Sequence, residues 1–112
     1  IVALHDVEVA MALRFIRDQV GTGISVGDVV NHVELSRRSL ELRFQEAIGR
    51  TIHAELQRVR FERAKRLLRE AELSIARISD HAGYGSPSYM GQVFKEQIDM
   101  TPAQYRRHLR GE

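Results

Sequence analysis

The sequence predicts an all-α fold of seven helices, and three observations support this prediction. Apolar residues recur at intervals of three and four positions, which is the period of a helix with one buried face. Leu, Ala, Glu and Arg, which favour helices, dominate the segments between short stops that contain Gly or Ser. The stretch FKEQIDMT at 94–101 nearly repeats FQEAIGRT at 44–51. This repetition indicates that one helical unit occurs twice.

The first three helices are predicted from their apolar stripes and their end signals. The first helix carries one stripe at helical spacing: Val9, Leu13, Ile16 and Val20. A short second helix follows Ser25, because the Ser-x-x-Asp spacing to Asp28 is typical of a capping box, and four valines then follow at helical spacing. A third helix begins near Ser36 and ends at Gly49, which suits a left-handed stop.

The last four helices are predicted in the same way. A fourth helix is capped by Thr51 and runs without Gly or Pro to about Leu73. Ser74 caps the fifth helix, and a Ser-Pro pair that ends at Pro87 begins the sixth. The seventh begins at Thr101, where a Thr-Pro pair is combined with a capping box.

The repeat extends beyond eight residues. Residues 25–33 match residues 74–82, and after one extra residue in the second turn, residues 40–51 match residues 90–101. The repeated unit is a short helix, a tight turn, a longer helix, a stop and a cap. This is the size and arrangement of a helix-turn-helix.

The repeat also predicts how the chain is divided. We expect a first helix-turn-helix subdomain at 1–50, a linking helix at 51–73 and a second helix-turn-helix subdomain at 74–112. The chain begins at Ile1 without a methionine, which predicts a piece cut from a longer protein.

Composition narrows the classes of function. The 112 residues include no Cys, so disulfides, thiolate zinc sites and cysteine nucleophiles are excluded. Five histidines stand singly, without an H-x-x-x-H pair, paired carboxylates or a Gly-rich phosphate loop, so we predict no enzyme activity, metal site or cofactor. No apolar run reaches the length of a membrane span and no leader opens the chain, which predicts a soluble, cytoplasmic protein.

Basic residues are unevenly distributed although the net charge is small. Seventeen Lys and Arg oppose fifteen Asp and Glu, and the bases gather between Arg58 and Arg69 and near the chain end. Successive major-groove segments lie one turn apart on one face of a duplex, so two helix-turn-helix units on one chain favour a reader of double-stranded DNA. The alternatives are a duplicated bundle whose repeat reflects packing alone, and a protein-binding helical module whose basic face meets an acidic partner.

The longer helix of the first unit is predicted to present an outer face for base contacts. When Phe44 faces the core, at about 100 degrees per residue, three side chains point outward: Arg38, Leu42 and Gln45. In a major groove Arg38 would bind guanine, Leu42 would contact a thymine methyl and Glu41 would accept from a cytosine amine. The alternatives are an ordinary exposed leucine and a glutamate that tethers a neighbouring arginine.

The longer helix of the second unit presents a chemically simpler face. When Phe94 faces the core, the outward side chains are Ser88, Gln92 and Lys95. Gln92 would read adenine. Gly91 costs about 1 kcal/mol relative to alanine inside a helix. Two alternatives explain the glycine at this position. One is a close approach by another backbone, and the other is drift at a tolerant surface position.

Two groups of residues match the pattern of a known family. The second half of the chain contains Ile75-x-x-Ile78, Ala82-Gly83-Tyr84, Ser88-Tyr89, Val93-Phe94-Lys95 and Thr101-Pro102-x-x-Tyr105-Arg106. The first half contains Leu35-Ser36-x-x-x-Leu40-x-x-x-Phe44 and Arg60-Phe61-x-x-Ala64-x-x-Leu67-Leu68. From about Val9 to Arg107 the chain therefore resembles the AraC/XylS family of bacterial transcription regulators.

The resemblance implies a homeodomain-like fold in which two helix-turn-helix subdomains, joined by a long central helix, bind DNA as the C-terminal part of a regulator. It implies base contacts from both recognition helices: Arg37, Arg38, Glu41 and Leu42 in the first, and Pro87, Ser88, Gly91 and Gln92 in the second. The outward faces and the resemblance agree on four of these residues: Arg38, Leu42, Ser88 and Gln92.

Affinity for DNA is expected to come mainly from phosphates, and specificity from the few base contacts. The predicted phosphate contacts are basic side chains and helix caps: Arg43, Arg50, Thr51, Lys95, Thr101 and Arg106. If the chain is part of an activator, RNA polymerase is a further partner.

Three positions depart from the usual pattern of the family. Met90 replaces a common phenylalanine, an exchange that a core tolerates. Glu34 stands where the first turn usually has glycine, which predicts a less tight turn. Asp99 replaces the glycine before Thr101-Pro102, and aspartate is able to occupy a left-handed stop. Asp99, together with Thr51-Ile52-His53-Ala54, resembles regulators of the xylose operon, which implies a sugar-sensing effector domain upstream in the same chain.

Overall fold

A computed structural model describes residues 6–111 of the chain. Within this range the chain forms seven α-helices and no β-strand, which confirms the predicted all-α fold. The helices are α1 (Val7–Gln19), α2 (Val26–His32), α3 (Arg37–Ile48), α4 (Ile52–Glu70), α5 (Ile75–His81), α6 (Pro87–Ile98) and α7 (Pro102–Leu109). Positions 1–5 and 112, at the ends of the predicted spans 1–50 and 74–112, lie outside the described residues.

The chain packs as two compact units. The first unit runs to Val20 and resumes from Ile24 to Val59, and the second contains Gly21–Gly23 and the chain from Arg60 onward. The boundary between the units therefore falls inside α4, the predicted linking helix.

Each unit encloses its own hydrophobic core. The largest fully buried side chains of the first unit include Ile16, Leu40, Phe44 and Ile52. Those of the second unit include Leu68, Ile78, Met90 and Phe94. In both units a phenylalanine from the longer helix of the helix-turn-helix lies in the centre of the core. The two cores thus bury the same face of α3 and α6, as the repeat predicted.

Hydroxyl side chains cap the helices where the sequence predicted caps. The Ser25 hydroxyl accepts from the Asp28 amide at 3.2 Å and the Asp28 carboxylate accepts from the Ser25 amide at 2.8 Å, which completes the predicted capping box. Five other caps accept from the backbone three residues ahead at 3.0–3.2 Å: Ser36, Thr51, Ser74, Ser86 and Thr101. Each bond satisfies an amide that the first turn of a helix leaves unpaired.

The linking helix is shorter than predicted. It ends at Glu70 rather than at about residue 73. Arg106 donates to the Leu68 carbonyl at 3.2 Å and to the Ala71 carbonyl at 3.3 Å, and Arg110 donates to the Ala71 carbonyl at 3.0 Å. Because these guanidinium groups supply the hydrogen bonds that another turn would make, the chain leaves the helix here.

The turns and stops of the two units use different backbone conformations. Val33, the residue that follows α2, is extended, with φ −111°, and Glu34 follows without a positive φ. The turn of the second unit uses Gly83 at φ 89°. α3 stops at Gly49 and α6 at Asp99, with φ of 82° and 57°, so both predicted left-handed stops are confirmed.

We expect Arg106→Ala to lower the free energy of unfolding by about 1–3 kcal/mol, because the C-terminal carbonyls of α4 would lose a charged donor. Arg107→Ala is the matched control, since Arg107 is the exposed neighbour on α7, and we expect it to stay within about 0.5 kcal/mol of the wild type. Urea unfolding followed by circular dichroism measures both values. Equal stability of the two variants would contradict the capping role of Arg106.

Candidate nucleic-acid interface

α3 exposes the face that the sequence predicted. Its exposed side chains include Arg37, Arg38, Leu42 and Gln45, and Leu42 leaves 57% of its surface open to solvent. Phe44 lies on the opposite face and is fully buried. Among residues 6–111, neither Arg37 nor Arg38 has an ion-pair or hydrogen-bond partner for its guanidinium group. The face therefore offers two uncompensated positive charges beside one exposed apolar side chain.

α6 exposes a face with less charge. Its exposed side chains include Pro87, Ser88, Gln92 and Lys95. The Lys95 ammonium lies 3.2 Å from the Asp99 carboxylate, and both side chains are largely exposed. An exposed pair of this kind contributes little to stability, so Lys95 remains available to another anion.

Gly91 has no packing reason to be glycine. It lies on α6 and is half-buried, and an added Cβ would meet no atom within 4 Å. A larger side chain would therefore fit the isolated chain. Both explanations of Gly91 remain, a close approach by a bound backbone and drift at a tolerant position.

Glu41 lies at the junction of α3 and α4. One of its carboxylate oxygens accepts from the Ile52 amide, the first residue of α4, at 3.4 Å. Its bond is long, and the side chain is half-buried. Glu41 thus contacts the start of α4, beside the predicted phosphate contacts Arg50 and Thr51, and its predicted base contact stays a prediction.

Arg43, a predicted phosphate contact, is held by two carboxylates. Asp6 accepts two hydrogen bonds from it at 2.8 Å, and Glu8 accepts one at 3.1 Å. Asp6 also caps α1 by accepting from the Val9 amide at 3.1 Å. The hydrogen bonds from the Arg43 guanidinium lower the pKa of Asp6. The same hydrogen bonds to Asp6 raise the pKa of Arg43. These contacts join α1 to α3 and would compete with a phosphate for Arg43.

The remaining predicted phosphate contacts also have partners within the chain. Arg50 forms an ion pair with the Glu55 carboxylate, with 3.0 Å between Nε and Oε1. Arg106 binds the last carbonyls of α4. The hydroxyls of Thr51 and Thr101 are occupied as caps, at 3.0 and 3.1 Å. The structure therefore brings Glu41, Arg50 and Thr51 together at one junction and leaves the phosphate role of each as a prediction.

Glu55 is a buried residue of the first unit that belongs to none of the predicted contacts. This carboxylate is 5% exposed and lies between Arg50 and Arg58. The available signal was an acid in the first turn of a helix with an arginine three residues later, a spacing that places the two side chains on one face.

The turn of the second unit packs around Tyr84. Its ring lies edge-on to Tyr89 at 5.3 Å between centroids, and the Arg60 guanidinium lies 5.7 Å from the ring centre. The Tyr84 hydroxyl is buried and has no hydrogen-bond partner within the described part of the chain. Burial raises the pKa of this phenol. The turn that precedes α6 is therefore positioned by aromatic packing.

A family model described as a helix-turn-helix domain matches residues 29–108. The xylose operon regulatory protein of Escherichia coli K12 is 42% identical over 104 residues, which cover 93% of this chain and 26% of that protein. The corresponding protein of Haemophilus influenzae is 38% identical over 93% of this chain and 27% of its own length. The chain thus spans about a quarter of the length of these curated relatives.

Solved structures have the same fold. A structure of the xylose-binding transcription activator xylR superimposes with a TM-score of 0.80 at 42% identity, over 92% of this chain and 27% of that chain. The DNA-binding domain of AdpA, in complex with a target DNA, superimposes with a TM-score of 0.86 over 92% of this chain and 93% of that domain. At 24% identity, the second likeness concerns the fold alone. No helix among residues 6–111 is long and apolar enough to cross a membrane.

We expect Asp6→Asn to reduce the sensitivity of the fold to acid. Arg43 lowers the pKa of Asp6 in the folded state, so this pair stabilises the fold fully above the ordinary pKa of an aspartate. Its contribution is lost as the pH falls through the lowered value. Asparagine keeps the cap but removes the charge. Thermal unfolding from about pH 7 to about pH 2 measures the difference across the acid range.

Asp18→Asn is the control for Asp6→Asn. Asp18 lies 3.7 Å from Arg17, and both side chains are exposed, so its removal should leave the acid profile unchanged. An acid profile of Asp6→Asn that coincides with the wild-type profile would show that the Asp6 pair does not cause the acid sensitivity.

Proposed function

Because the chain belongs to the AraC-type family of helix-turn-helix proteins, we propose that it is the sequence-specific DNA-binding domain of a bacterial transcription regulator. In this proposal α3 and α6 enter successive major-groove segments of a promoter. One observation carries the proposal. Both helices bury a phenylalanine and expose the opposite face, which is the arrangement that a reading helix requires.

The two reading helices have different chemistry in this proposal. Arg38 donates hydrogen bonds to both O6 and N7 of one guanine. Leu42 contacts the methyl group of a neighbouring thymine. On α6, Gln92 reads adenine through its amide, and Ser88 donates or accepts according to the base that it meets. The charge of Arg37 and Arg38 has no internal partner among the described residues, which supports their use on DNA. Most of the base discrimination then lies with α3.

Phosphates supply most of the affinity in this proposal. Among the predicted phosphate contacts, Arg50 and Lys95 each form an ion pair with one carboxylate, whereas Arg43 is held by two. Neutralisation of each phosphate releases counterions, so binding weakens steeply as salt increases. An acidic protein partner would share the salt dependence but would show no dependence on base sequence.

The proposal also includes a regulatory domain in a longer chain of which these 112 residues are a part. The curated relatives are named for a xylose operon, and this chain spans about a quarter of their length. We extend the proposal to an upstream effector-binding domain that recognises a sugar, and to a contact with RNA polymerase in the cytoplasm.

We expect xylose to change the affinity of the full-length protein for its promoter DNA, because an effector shifts an equilibrium between two states of the protein. Fluorescence anisotropy with a labelled promoter fragment measures this effect, and mannitol is the control. An affinity that is the same with and without xylose would remove the sugar from the proposal while leaving the DNA-binding part intact.

We expect selection from a random duplex library to yield two motifs about one helical turn apart. Arg38→Ala should relax one motif and Gln92→Ala the other, each at a cost of about 1–3 kcal/mol at its own base pair. Arg66→Ala is the matched control, because Arg66 is exposed on α4 and lies outside both reading helices.

The same selection is repeated at two salt concentrations. If the wild-type chain enriches no sequence at either concentration, specific DNA reading is ruled out. Binding to an acidic protein then becomes the alternative.

A further inference from the structure

Glu55 is a buried carboxylate that the base and phosphate contacts leave without a role. Its side chain is 5% exposed, although it lies in the first turn of α4, close to the end of the first reading helix. Charged groups are rarely buried unless they are paired. The groups that pair with Glu55 therefore indicate the role of this carboxylate.

Two guanidinium groups meet at this carboxylate. Arg58 donates twice, from Nε to Oε1 at 3.0 Å and from Nη2 to Oε2 at 2.8 Å. The Arg50 Nε lies 3.0 Å from Oε1 and forms an ion pair with it. The side chains of Arg50 and Arg58 are 37% and 50% exposed. The three groups together carry one net positive charge, which faces solvent.

The backbone determines the position of the Arg50 Cα, and the ion pair with Glu55 determines the position of its guanidinium group. Arg50 is the single residue between the left-handed stop at Gly49 and the cap at Thr51. Its Nε forms an ion pair with Glu55, and this contact leaves the terminal nitrogens of the guanidinium with donors for another acceptor. A guanidinium that is held at one edge is oriented for an oxyanion at the other edge.

The second unit makes the same stop and cap without this cluster. In the repeat, Met100 corresponds to Arg50 and Tyr105 corresponds to Glu55. That unit still makes its left-handed stop at Asp99 and its threonine cap. Tyr105 packs edge-on against Phe94 at 5.8 Å, so an apolar contact replaces the charged cluster. The first unit therefore carries a charged group that the shared architecture does not require.

We infer that Glu55 is a positioning residue for DNA binding, which orients the Arg50 guanidinium beside the first reading helix so that it binds a backbone phosphate. This inference rests on the proposed function and adds a residue that contacts no DNA itself. Arg58 completes the charge balance, since a carboxylate with one arginine alone would cancel the charge that a phosphate needs. The base preference of α3 does not depend on Glu55.

The experiment measures the affinity of the 112-residue chain for its selected duplex and for an unrelated duplex over a range of salt. Glu55→Gln should weaken binding to both duplexes by roughly tenfold, because an unfixed guanidinium loses part of a charge-assisted bond. The slope of log affinity against log salt should fall by about 0.9, the value for one phosphate. The selected base sequence should not change.

Arg50 variants separate positioning from charge alone. Arg50→Ala should reproduce the loss in Glu55→Gln, and the double variant should bind no worse than Arg50→Ala. Arg50→Lys keeps the charge but lacks the planar fork, so it should bind as weakly as Arg50→Ala. Arg50 variants retain the Glu55–Arg58 pair, and they decide the question if Glu55→Gln does not fold.

Glu70→Gln is the matched control. Glu70 also lies on α4 and pairs with an arginine, Arg69, at 2.9 Å, but both side chains are largely exposed. Its affinity and salt slope should equal those of the wild type. Circular dichroism at the binding temperature verifies that every variant is folded.

Three results would overturn the inference. Higher affinity in Glu55→Gln would mean that Glu55 withholds Arg50 from DNA. A lower melting temperature with unchanged affinity and slope would mean that the cluster is structural. Wild-type affinity in Arg50→Lys would mean that charge without orientation is sufficient. Each result presupposes a wild-type chain that binds its selected duplex, so a failure of the proposed function is recognised separately.

Discussion

Burial of one phenylalanine determines which face of α3 and which face of α6 remains exposed. Phe44 in α3 and Phe94 in α6 are fully buried at the centres of their units. Residues four positions apart lie on the same face of a helix, whereas residues two positions away lie on the opposite side. Leu42 and Gln92, each two residues before its phenylalanine, are exposed for this reason. Without the buried phenylalanine, the packing that orients the exposed face of each helix would be lost.

Stops and caps then define the ends of α3 and α6. A serine cap precedes each one, and a left-handed residue ends each one: Gly49 for α3 and Asp99 for α6. Aspartate tolerates this backbone conformation less readily than glycine. The threonine that follows two residues later begins the next helix by capping its first turn. The core, the stop and the cap together position each helix, and the exposed side chains take no part in these contacts.

The arginines divide between two tasks. Arg43 binds Asp6 and Glu8, and Arg106 and Arg110 bind carbonyls at the end of α4, so these side chains hold elements together. Arg37 and Arg38 have no such partners within residues 6–111 and stand on the exposed face of α3. A net charge of +2 conceals this division, because paired and unpaired arginines count equally in composition.

The sequence by itself determined the helices, the repeat and the two exposed faces, because periodicity, caps and stops depend on residues close together in the chain. It placed the outward faces of α3 and α6 from local geometry alone. The tertiary structure decided which charged side chains are occupied, since Arg43 meets Asp6 across 37 positions and Arg106 meets Leu68 across 38. It also decided the end of α4 and the burial of Glu55. Contacts between distant residues depend on how helices pack, and no local pattern records them.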